Sequence, residues 1–176
     1  MKVHLPHEPL FDQKTLEKRI RELGAQITAD YKGEEIVAVG VLKGSVIFMA
    51  DLVRCIEAPI HMEFVGVSSY KGTESTGHVR ITHDLDATIK GRHVLLIEDI
   101  IDTGLTIEYL IEMFQARNPK SLKICSLLSK PEAHIMSRDI DYVGFEISKE
   151  FVIGYGLDLD GLYRNLPDIV QVKSDS

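Results

Sequence analysis

The chain has 176 residues, and its 20 Lys and Arg against 27 Asp and Glu give a formal net charge of −7. This acidity disfavours non-specific nucleic-acid binding, which depends on basic residues that neutralise phosphates. With 44% apolar and 27% charged residues, the composition is that of an ordinary globular protein. We therefore expect a single domain over residues 1–176 that needs neither a disulfide nor a structural metal.

The cysteines and the apolar stretches indicate the compartment. Cys55 and Cys125 lie among apolar residues, and neither has a second Cys nearby, which favours buried free thiols in a reducing environment. The first eight residues contain no signal-peptide core, and no apolar stretch approaches the ~20 residues of a membrane span. These patterns predict a soluble cytoplasmic protein that binds no membrane.

The first predicted elements are helix, strand and helix. Asp12 is placed to cap an amphipathic helix of about five turns. A short apolar strand follows at 36–42, and the turn at 43–45 leads into a buried helix within 46–56. The apolar residues that share one face of the first helix are Leu16, Ile20, Leu23 and Ile27.

A hairpin with a polar loop is predicted next. Residues 61–70 form a strand in this interpretation, and Val79 and Ile81 alternate with polar neighbours in a returning strand. The polar loop at 71–77 between them has the composition of an exposed flap.

The second half repeats the order of strand, turn, helix and strand. Residues 94–97 are continuously apolar, as a strand of a parallel sheet is when both its faces are covered. Helical spacing begins at Ile107, and another strand is predicted at 122–128. We therefore expect an α/β fold with a doubly wound, mainly parallel sheet flanked by helices, with ligands bound beyond the carboxyl ends of the strands.

Residues 98–106 carry the most chemical information. Main-chain N–H groups at the start of a helix, with the hydroxyls of Thr103 and Thr106 and the close approach allowed at Gly104, can bind a phosphate monoester. The neighbouring Glu98 and Asp99 would repel that phosphate, but they suit sugar hydroxyls or Mg²⁺. Together these groups describe a site for a phosphorylated sugar.

A structural interpretation of the same segment stays open. Asp102 and Thr103 could serve only to cap the helix, and Glu98 and Asp99 could be solvated residues at a strand end. Three acids crowded together nevertheless require a cation or a ligand rich in hydrogen-bond donors, which favours the binding site.

Residues 94–106 resemble the signature of type I phosphoribosyltransferases, and Ile100 and Ile101 between the acids are similar to the hypoxanthine-guanine branch. Further segments resemble the family in the same order, at 42–45, 69–70, 127–130 and 151–158, followed by Arg164. The resemblance implies the family fold, with a small hood and a flexible flap.

The resemblance also implies an activity. It is the Mg²⁺-dependent transfer of the 5-phosphoribosyl group from 5-phosphoribosyl 1-pyrophosphate to N9 of hypoxanthine or guanine in purine salvage. The products are the nucleoside monophosphate and pyrophosphate, and the enzymes are homodimers or homotetramers. The preference among hypoxanthine, guanine and xanthine depends on loop shape and does not follow from the sequence.

By the same resemblance, four residues act on the purine. Asp102 would be the general base or acid at N7, since the incoming purine loses a proton as it attacks an oxocarbenium-like ribosyl centre. The ammonium of Lys130 would bind the exocyclic O6. Phe151 would stack on the base, and the backbone of Val152 would bind its Watson-Crick edge.

The remaining implied assignments concern the donor, the metal and the flap. Arg164 is assigned to the pyrophosphate of the donor because a planar guanidinium suits paired phosphate oxygens. Ribose and 5-phosphate are assigned to Glu98, Asp99, Asp102, Thr103, Gly104, Leu105 and Thr106. Pyrophosphate is assigned to Lys43, Gly44 and Arg164, and Mg²⁺ is assigned to Glu98, Asp99 and Asp158. Asp158 is also assigned to the purine. The flap includes Ser69 and Tyr70.

Taken singly, several of these residues have simpler interpretations. Lys130 could be a solvated lysine, Phe151 a core aromatic, and Asp158 and Arg164 surface charges. The peptide between Leu42 and Lys43 is often cis in the family, which the resemblance implies here as well.

Two other functions fit parts of the sequence less well. A regulatory protein that binds RNA through this fold would need a basic face, which a net charge of −7 disfavours. A phospho-acceptor receiver domain would carry its acidic pair after the first strand, whereas Glu98 and Asp99 follow the middle one.

Overall fold

The computed structural model describes residues 8–69 and 79–172. Tyr70 and the polar loop at 71–77, which the sequence assigns to the flap, therefore lie outside the described residues. The elements in chain order are α1 (Gln13–Tyr31), β1 (Ile36–Leu42), α2 (Val46–Val53), β2 (Ile60–Ser69), β3 (Val79–His83), β4 (His93–Ile101), α3 (Leu105–Gln115), β5 (Ser121–Ser129), a 3₁₀ turn (Pro131–Ala133), β6 (Tyr142–Glu146), β7 (Val152–Ile153) and β8 (Val170–Gln171).

Six strands form one sheet in the order β3-β2-β1-β4-β5-β6. Strands β2, β1, β4, β5 and β6 are parallel to one another, and β3 is antiparallel to β2 at one edge. The strand order reverses between β1 and β4, which is where ligands bind in open α/β sheets. The predicted doubly wound, mainly parallel sheet is confirmed.

Helices cover both faces of this sheet. Ala38 and Leu95 face the cluster formed with α1 and α2, whereas Val39 and Leu96 face the cluster formed with α3. Successive residues of β1 and β4 are thus buried on opposite faces, which accounts for their unbroken apolar runs. This packing fixes the carboxyl ends of β1, β4 and β5 next to one another.

The first helix forms as its sequence predicts. The Asp12 carboxylate accepts a hydrogen bond of 2.8 Å from the backbone N–H of Thr15, and Lys32 ends the helix in a left-handed conformation. The cap satisfies an N–H group that would otherwise lack a partner in the first turn.

Strand β4 is longer than its apolar run predicts. The strand was expected at 94–97, but pairing with β5 continues through Glu98 opposite Ser126 and Ile100 opposite Leu128. The prediction was wrong because backbone pairing with a long neighbouring strand continues regardless of side-chain polarity. Glu98 and Asp99 therefore belong to a rigid strand rather than to a loop.

The hood is a two-stranded antiparallel sheet of β7 and β8. Its second strand continues from a bridge between Ile169 and Phe11, and the Leu10 N–H donates to the Ile169 carbonyl over 2.9 Å. The hood thus fastens the segment before α1 to the carboxy-terminal part of the chain.

Both cysteines are free, but only one is buried as predicted. Cys125 is buried in β5, whereas Cys55 is half-buried, because it follows the end of α2 near the surface. Among residues 8–69 and 79–172, no helix is long and apolar enough to cross a membrane.

Candidate active site

The carboxyl ends of β1, β4 and β5 bring the predicted site segments together. They are followed by the turn at Lys43, by Asp102 and by Lys130. The backbone N–H of Lys130 donates to the carbonyl of Ile101 over 2.9 Å, which ties the ends of β5 and β4 to each other. The predicted convergence of the three strand ends is confirmed.

The turn between β4 and α3 encloses a cavity of about 120 Å³ lined by Glu98 and residues 100–107. Gly104, at φ +89°, occupies the cap position of α3, and no side chain caps this end of the helix. The Thr103 hydroxyl accepts only a long bond of 3.4 Å from the Leu105 N–H. The capping interpretation of Asp102 is therefore wrong, and the N–H groups of the first turn are available to an anion.

The side chains around this cavity differ in exposure. Leu105 is exposed and Thr106 is half-buried, while the backbone of Gly104 is buried. A Cβ placed on Gly104 would lie 2.8 Å from the Met136 sulfur, so glycine is required by both its conformation and its surroundings.

Asp102 and Lys130 form an ion pair at the mouth of the cavity. Their Oδ2 and Nζ atoms are 3.2 Å apart, and the Lys130 side chain is only 13% exposed whereas Asp102 is 57% exposed. The interpretation of Lys130 as a solvated lysine is therefore wrong. A buried ammonium holds one side of the carboxylate and leaves the other side open to a ligand.

Glu98 has a buried carboxylate oxygen, Oε2, that has no hydrogen-bond partner within the described ranges. Burial, and then the charge of Asp99, raise the pKa of Glu98 well above its ordinary value. Buried polar atoms normally have partners, so this one marks a place for a hydrogen-bond donor such as a sugar hydroxyl. Glu98 is not a solvated strand-end residue.

Asp99 faces the turn after β1. A Cβ placed on Gly44 would overlap the Asp99 carboxylate, so the two segments touch. Burial raises the pKa of Asp99 to about 6, although the Ile100 N–H and the charge of Arg164 act in the opposite direction. Lys43 is exposed beside this contact, and the Leu42–Lys43 peptide is cis, as the resemblance implies.

Asp158 and Arg164 pair with each other in the segment that connects β7 to β8. Arg164 Nη2 lies 2.8 Å from Asp158 Oδ1, and Nη1 donates to the Gly156 carbonyl over 2.6 Å. A Cβ on Gly156 would overlap the carbonyl oxygen of Gly44, so this segment also touches the turn after β1. The interpretation of Asp158 and Arg164 as independent surface charges is wrong.

Phe151 and Val152 stand at the start of the hood. Phe151 is 50% exposed, whereas Val152 is buried in β7, so the core interpretation of Phe151 is wrong. The Phe151 ring borders an open cavity of about 620 Å³ together with Glu132 and Leu159. An exposed aromatic ring held by a short sheet is suited to stacking on a planar ligand.

Comparison with known proteins agrees with this geometry. A family model described as phosphoribosyl transferase domain matches residues 7–160. The hypoxanthine-guanine phosphoribosyltransferase of Bacillus subtilis is 46% identical over 174 residues, which are 98% of this chain and 97% of that protein. The chain belongs to the hypoxanthine-guanine phosphoribosyltransferase family. The enzyme of that name from Streptococcus agalactiae is also 46% identical, over 94% of this chain and 93% of its own.

The solved structures place the fold in the same family. A crystal structure of a hypoxanthine-guanine phosphoribosyltransferase from Bacillus anthracis superposes with a TM-score of 0.92 at 44% identity and covers 97% of this chain and 100% of that one. The family and the fold predicted from residues 94–106 are thus confirmed. The receiver-domain hypothesis is wrong, and the chain is a phosphoribosyltransferase rather than an RNA-binding regulator.

The three acids assigned to Mg²⁺ do not form a compact ligand set. No group of three His, Cys, Asp or Glu side chains spaced to hold a metal is found among the described residues. Glu98 Oε2 nevertheless has no partner among the described residues, and burial of Asp99 raises the pKa of its carboxyl to about 6. These phosphoribosyltransferase residues fit a cation that takes its other ligands from substrate oxygens or water.

The sequence assigned no role to Gly156 or to its neighbour Tyr155. Gly156 provides the backbone surface that contacts Gly44 and accepts the Arg164 hydrogen bond. Two glycines that flank one tyrosine are a visible signal of an unusual turn, but the sequence does not show which distant segment the turn meets.

Proposed function

We propose that the chain catalyses transfer of the 5-phosphoribosyl group from 5-phosphoribosyl 1-pyrophosphate to N9 of hypoxanthine or guanine, as a cytoplasmic enzyme of purine salvage. The observation that carries this proposal is the Asp102–Lys130 ion pair, in which Asp102 also lines the cavity at the start of α3. An acid-base group thus lies at the cavity proposed for the phosphate, and the exposed ring of Phe151 offers a surface for a planar base.

Asp102 acts on the N7 proton in this mechanism. The N9–C1′ bond forms as the bond from C1′ to the pyrophosphate oxygen breaks, and the purine proton at N7 passes to the Asp102 carboxylate. Lys130 then has O6 of the purine as a second acceptor for its ammonium, which stabilises charge on that oxygen. Because Lys130 is nearly buried, it discriminates in favour of a 6-oxo base.

The donor is held at two ends. The 5-phosphate occupies the cavity of residues 102–106, where Thr103, Gly104, Leu105 and Thr106 present N–H groups and hydroxyls. Glu98 and Asp99 accept hydrogen bonds from the ribose hydroxyls. The pyrophosphate end is bound by Lys43, Gly44 and Arg164.

Asp158, Asp99 and Glu98 would each contribute to holding Mg²⁺ together with substrate oxygens or water, and the ion would neutralise charge on the pyrophosphate oxygens. The purine stacks on Phe151, the Val152 backbone and Asp158 hold its edge, and the flap with Ser69 and Tyr70 closes over the reacting groups.

The assembly is part of the proposal. We expect residues 1–176 to act as one phosphoribosyltransferase domain in a homodimer or homotetramer, with small-molecule substrates and no nucleic-acid partner. Size-exclusion chromatography with light scattering measures the state, and a monomer at working concentrations would contradict it.

The catalytic role is tested with Asp102→Asn. The wild-type protein should release pyrophosphate from the donor, Mg²⁺ and hypoxanthine, whereas Asp102→Asn should lose about 10²-fold or more in kcat, as expected for a lost general base. The donor Kd should change little, because the asparagine keeps the shape of the turn.

Asp139→Asn is the matched control, since Asp139 is an exposed aspartate outside the site. It should leave kcat unchanged. Full activity in Asp102→Asn would remove Asp102 from the catalytic role, and wild-type protein without pyrophosphate release would overturn the proposed function.

A further inference from the structure

A hydrogen bond joins the hood to helix α2. The hydroxyl of Tyr155 donates to Asp51 Oδ2, and Arg54 donates to the other carboxylate oxygen of Asp51. Tyr155 is buried in the hood, on the segment between β7 and Asp158, whereas Asp51 lies in the helix that begins just after Lys43 and Gly44. The bond therefore links two segments that both carry proposed pyrophosphate ligands.

The backbone around Tyr155 is unusual. Gly154, Tyr155 and Gly156 have φ values of +96°, +50° and +100°, so three consecutive residues are in the left-handed region. Glycine adopts this conformation freely, but a tyrosine does so at a cost in free energy. The Tyr155 side chain can offset this cost through its burial in the core and its hydrogen bond to Asp51.

The same turn determines where the pyrophosphate ligands lie. The N–H of Gly156 donates to the Arg164 carbonyl over 2.9 Å, and Arg164 Nη1 returns a bond of 2.6 Å to the Gly156 carbonyl. On its other side Gly156 packs on the carbonyl oxygen of Gly44. A displacement of this turn would therefore change the distance between Gly44 and Arg164.

We propose that Tyr155 and Asp51 are positioning residues, whose hydrogen bond sets the spacing between the Lys43–Gly44 turn and Arg164 and so preorganises the pyrophosphate end of the donor site. This inference rests on the proposed function for the identity of the ligand. Phe151 and Val152 are held separately, through β7 and β8 and a 2.8 Å bond from the Val172 N–H to the Phe151 carbonyl. Asp158 also pairs with Arg164, so the effect should fall mainly, rather than solely, on the donor.

The test uses Tyr155→Phe in the full chain, which keeps the buried ring and removes only the hydroxyl. Tyr142→Phe is the matched control, because the Tyr142 hydroxyl donates to Asp30 over 2.6 Å near the amino ends of the strands. Calorimetry measures the Kd of inorganic pyrophosphate with Mg²⁺, and steady-state kinetics measure KM for the donor and for hypoxanthine.

We expect Tyr155→Phe to raise the pyrophosphate Kd and the donor KM about tenfold, within the range that misplaced binding groups cause, and to leave the hypoxanthine KM within about twofold. Asp51→Asn keeps an acceptor oxygen and should behave nearly as wild type, whereas Asp51→Ala should reproduce the Tyr155→Phe values. Tyr142→Phe should lower Tm without changing either KM.

Three results would overturn the positioning role. The first is an unchanged pyrophosphate Kd in Tyr155→Phe. The second is a rise in the hypoxanthine KM of Tyr155→Phe that equals the rise in its donor KM. The third is a rise in the pyrophosphate Kd of Tyr142→Phe as large as that of Tyr155→Phe. Wild-type protein that binds pyrophosphate without catalysing transfer would overturn only the proposed reaction, because the Kd comparison does not depend on turnover.

Discussion

Glu98 shows how a single side chain can couple stability to ligand binding. Its Oε2 atom is buried without a partner within the described part of the chain, and it sits in a central strand that cannot move away. A buried carboxylate oxygen without a partner lowers the free energy of unfolding by about 1–3 kcal/mol. A ligand hydroxyl that donates to this oxygen recovers that free energy on binding.

The neutral variant Glu98→Gln should therefore stabilise the free protein and weaken donor binding. We expect the free energy of unfolding in urea at pH 8 to rise by about 1 kcal/mol, because an amide is less costly to bury than a carboxylate. The donor Kd, measured by calorimetry with Mg²⁺, should rise about tenfold, which corresponds to about 1.4 kcal/mol.

Glu57→Gln provides the comparison, since Glu57 is an exposed glutamate away from the site. It should change neither quantity. A Glu98→Gln protein that is less stable than wild type would show that Glu98 has a partner in the free protein.

The turn before α3 is braced by the chain that follows β5. The Ile135 N–H donates to the Thr103 carbonyl over 3.0 Å, and the Ser137 N–H donates to Glu108 in the first turn of α3 over 2.7 Å. Met136, between them, packs on Gly104. The cavity in which we propose that the 5-phosphate binds is therefore shaped by the end of β4, the start of α3 and the segment after β5, and Gly104 is the position where this segment packs on the turn.

Gly104→Ala should destabilise the protein and damage phosphate binding. The left-handed φ alone costs an alanine about 1–2 kcal/mol, and contact with Met136 adds to that. We expect Tm to fall by several degrees and the Kd of the nucleotide product to rise at least tenfold, as measured by thermal unfolding and calorimetry.

Gly33→Ala separates the cost of the left-handed backbone from the cost of contact with Met136. Gly33 has a similar φ of +82°, but a Cβ there would meet nothing within 4 Å. Its variant should show the backbone contribution alone, with unchanged nucleotide binding. Equal effects of Gly104→Ala and Gly33→Ala on stability would mean that the Met136 side chain moves aside with no change in free energy.

Local patterns were sufficient to predict most elements and the family, and the chemistry assigned to the site residues stays a prediction. Asp12 and the apolar spacing after it define α1, and the glycine and threonines at 103–106 indicate a phosphate site because each contributes a known group. Lys130 and Phe151 were ambiguous by residue type alone, since the same residues occur on surfaces and in cores. Their exposure, which depends on distant packing, decides between the interpretations.

Contacts between distant segments could not be predicted. The length of β4 depends on its pairing with β5, and the contacts of Gly44 with Asp99 and with Gly156 depend on how three loops meet. The bond from Tyr155 to Asp51 is of the same kind. None of these leaves a periodic or compositional signal in the sequence.

The molecule keeps its binding groups and a separate polar network at opposite ends of the sheet. At the amino ends of β5 and β6, the Tyr142 hydroxyl and the Lys123 ammonium donate to Asp30 over 2.6 Å and 3.1 Å. The hydrogen bonds from Tyr142 and then Lys123 lower the pKa of Asp30 below its ordinary value. This network stabilises the fold without touching the site.

Its stability contribution should depend on pH. A lowered pKa in the folded state means that stabilisation is present above the unfolded pKa of about 4 and is lost as the pH falls through the folded pKa. Tyr142→Phe should therefore lower the free energy of unfolding by about 1 kcal/mol at pH 7, since Asp30 is partly exposed and screened. The difference should shrink as the pH falls below about 4.

Urea unfolding across this pH range measures the difference. In an Asp30→Asn background the pH dependence of the Tyr142→Phe effect should disappear. A difference that persists unchanged at pH 2 would show that the tyrosine acts through packing alone.

The position of the hood along the chain has a consequence for synthesis. Strands β1 to β6 are complete once residue 146 has been made, but Phe151, Asp158 and Arg164 follow it, and Ile169 then closes the hood onto Phe11. Since folding during synthesis proceeds from the amino-terminal part of the chain, the sheet and the cavity at the start of α3 can form on a nascent chain that still lacks Phe151, Asp158 and Arg164. The proposed sites for the base and the pyrophosphate are therefore completed last, when the hood has been synthesised and Ile169 pairs with Phe11.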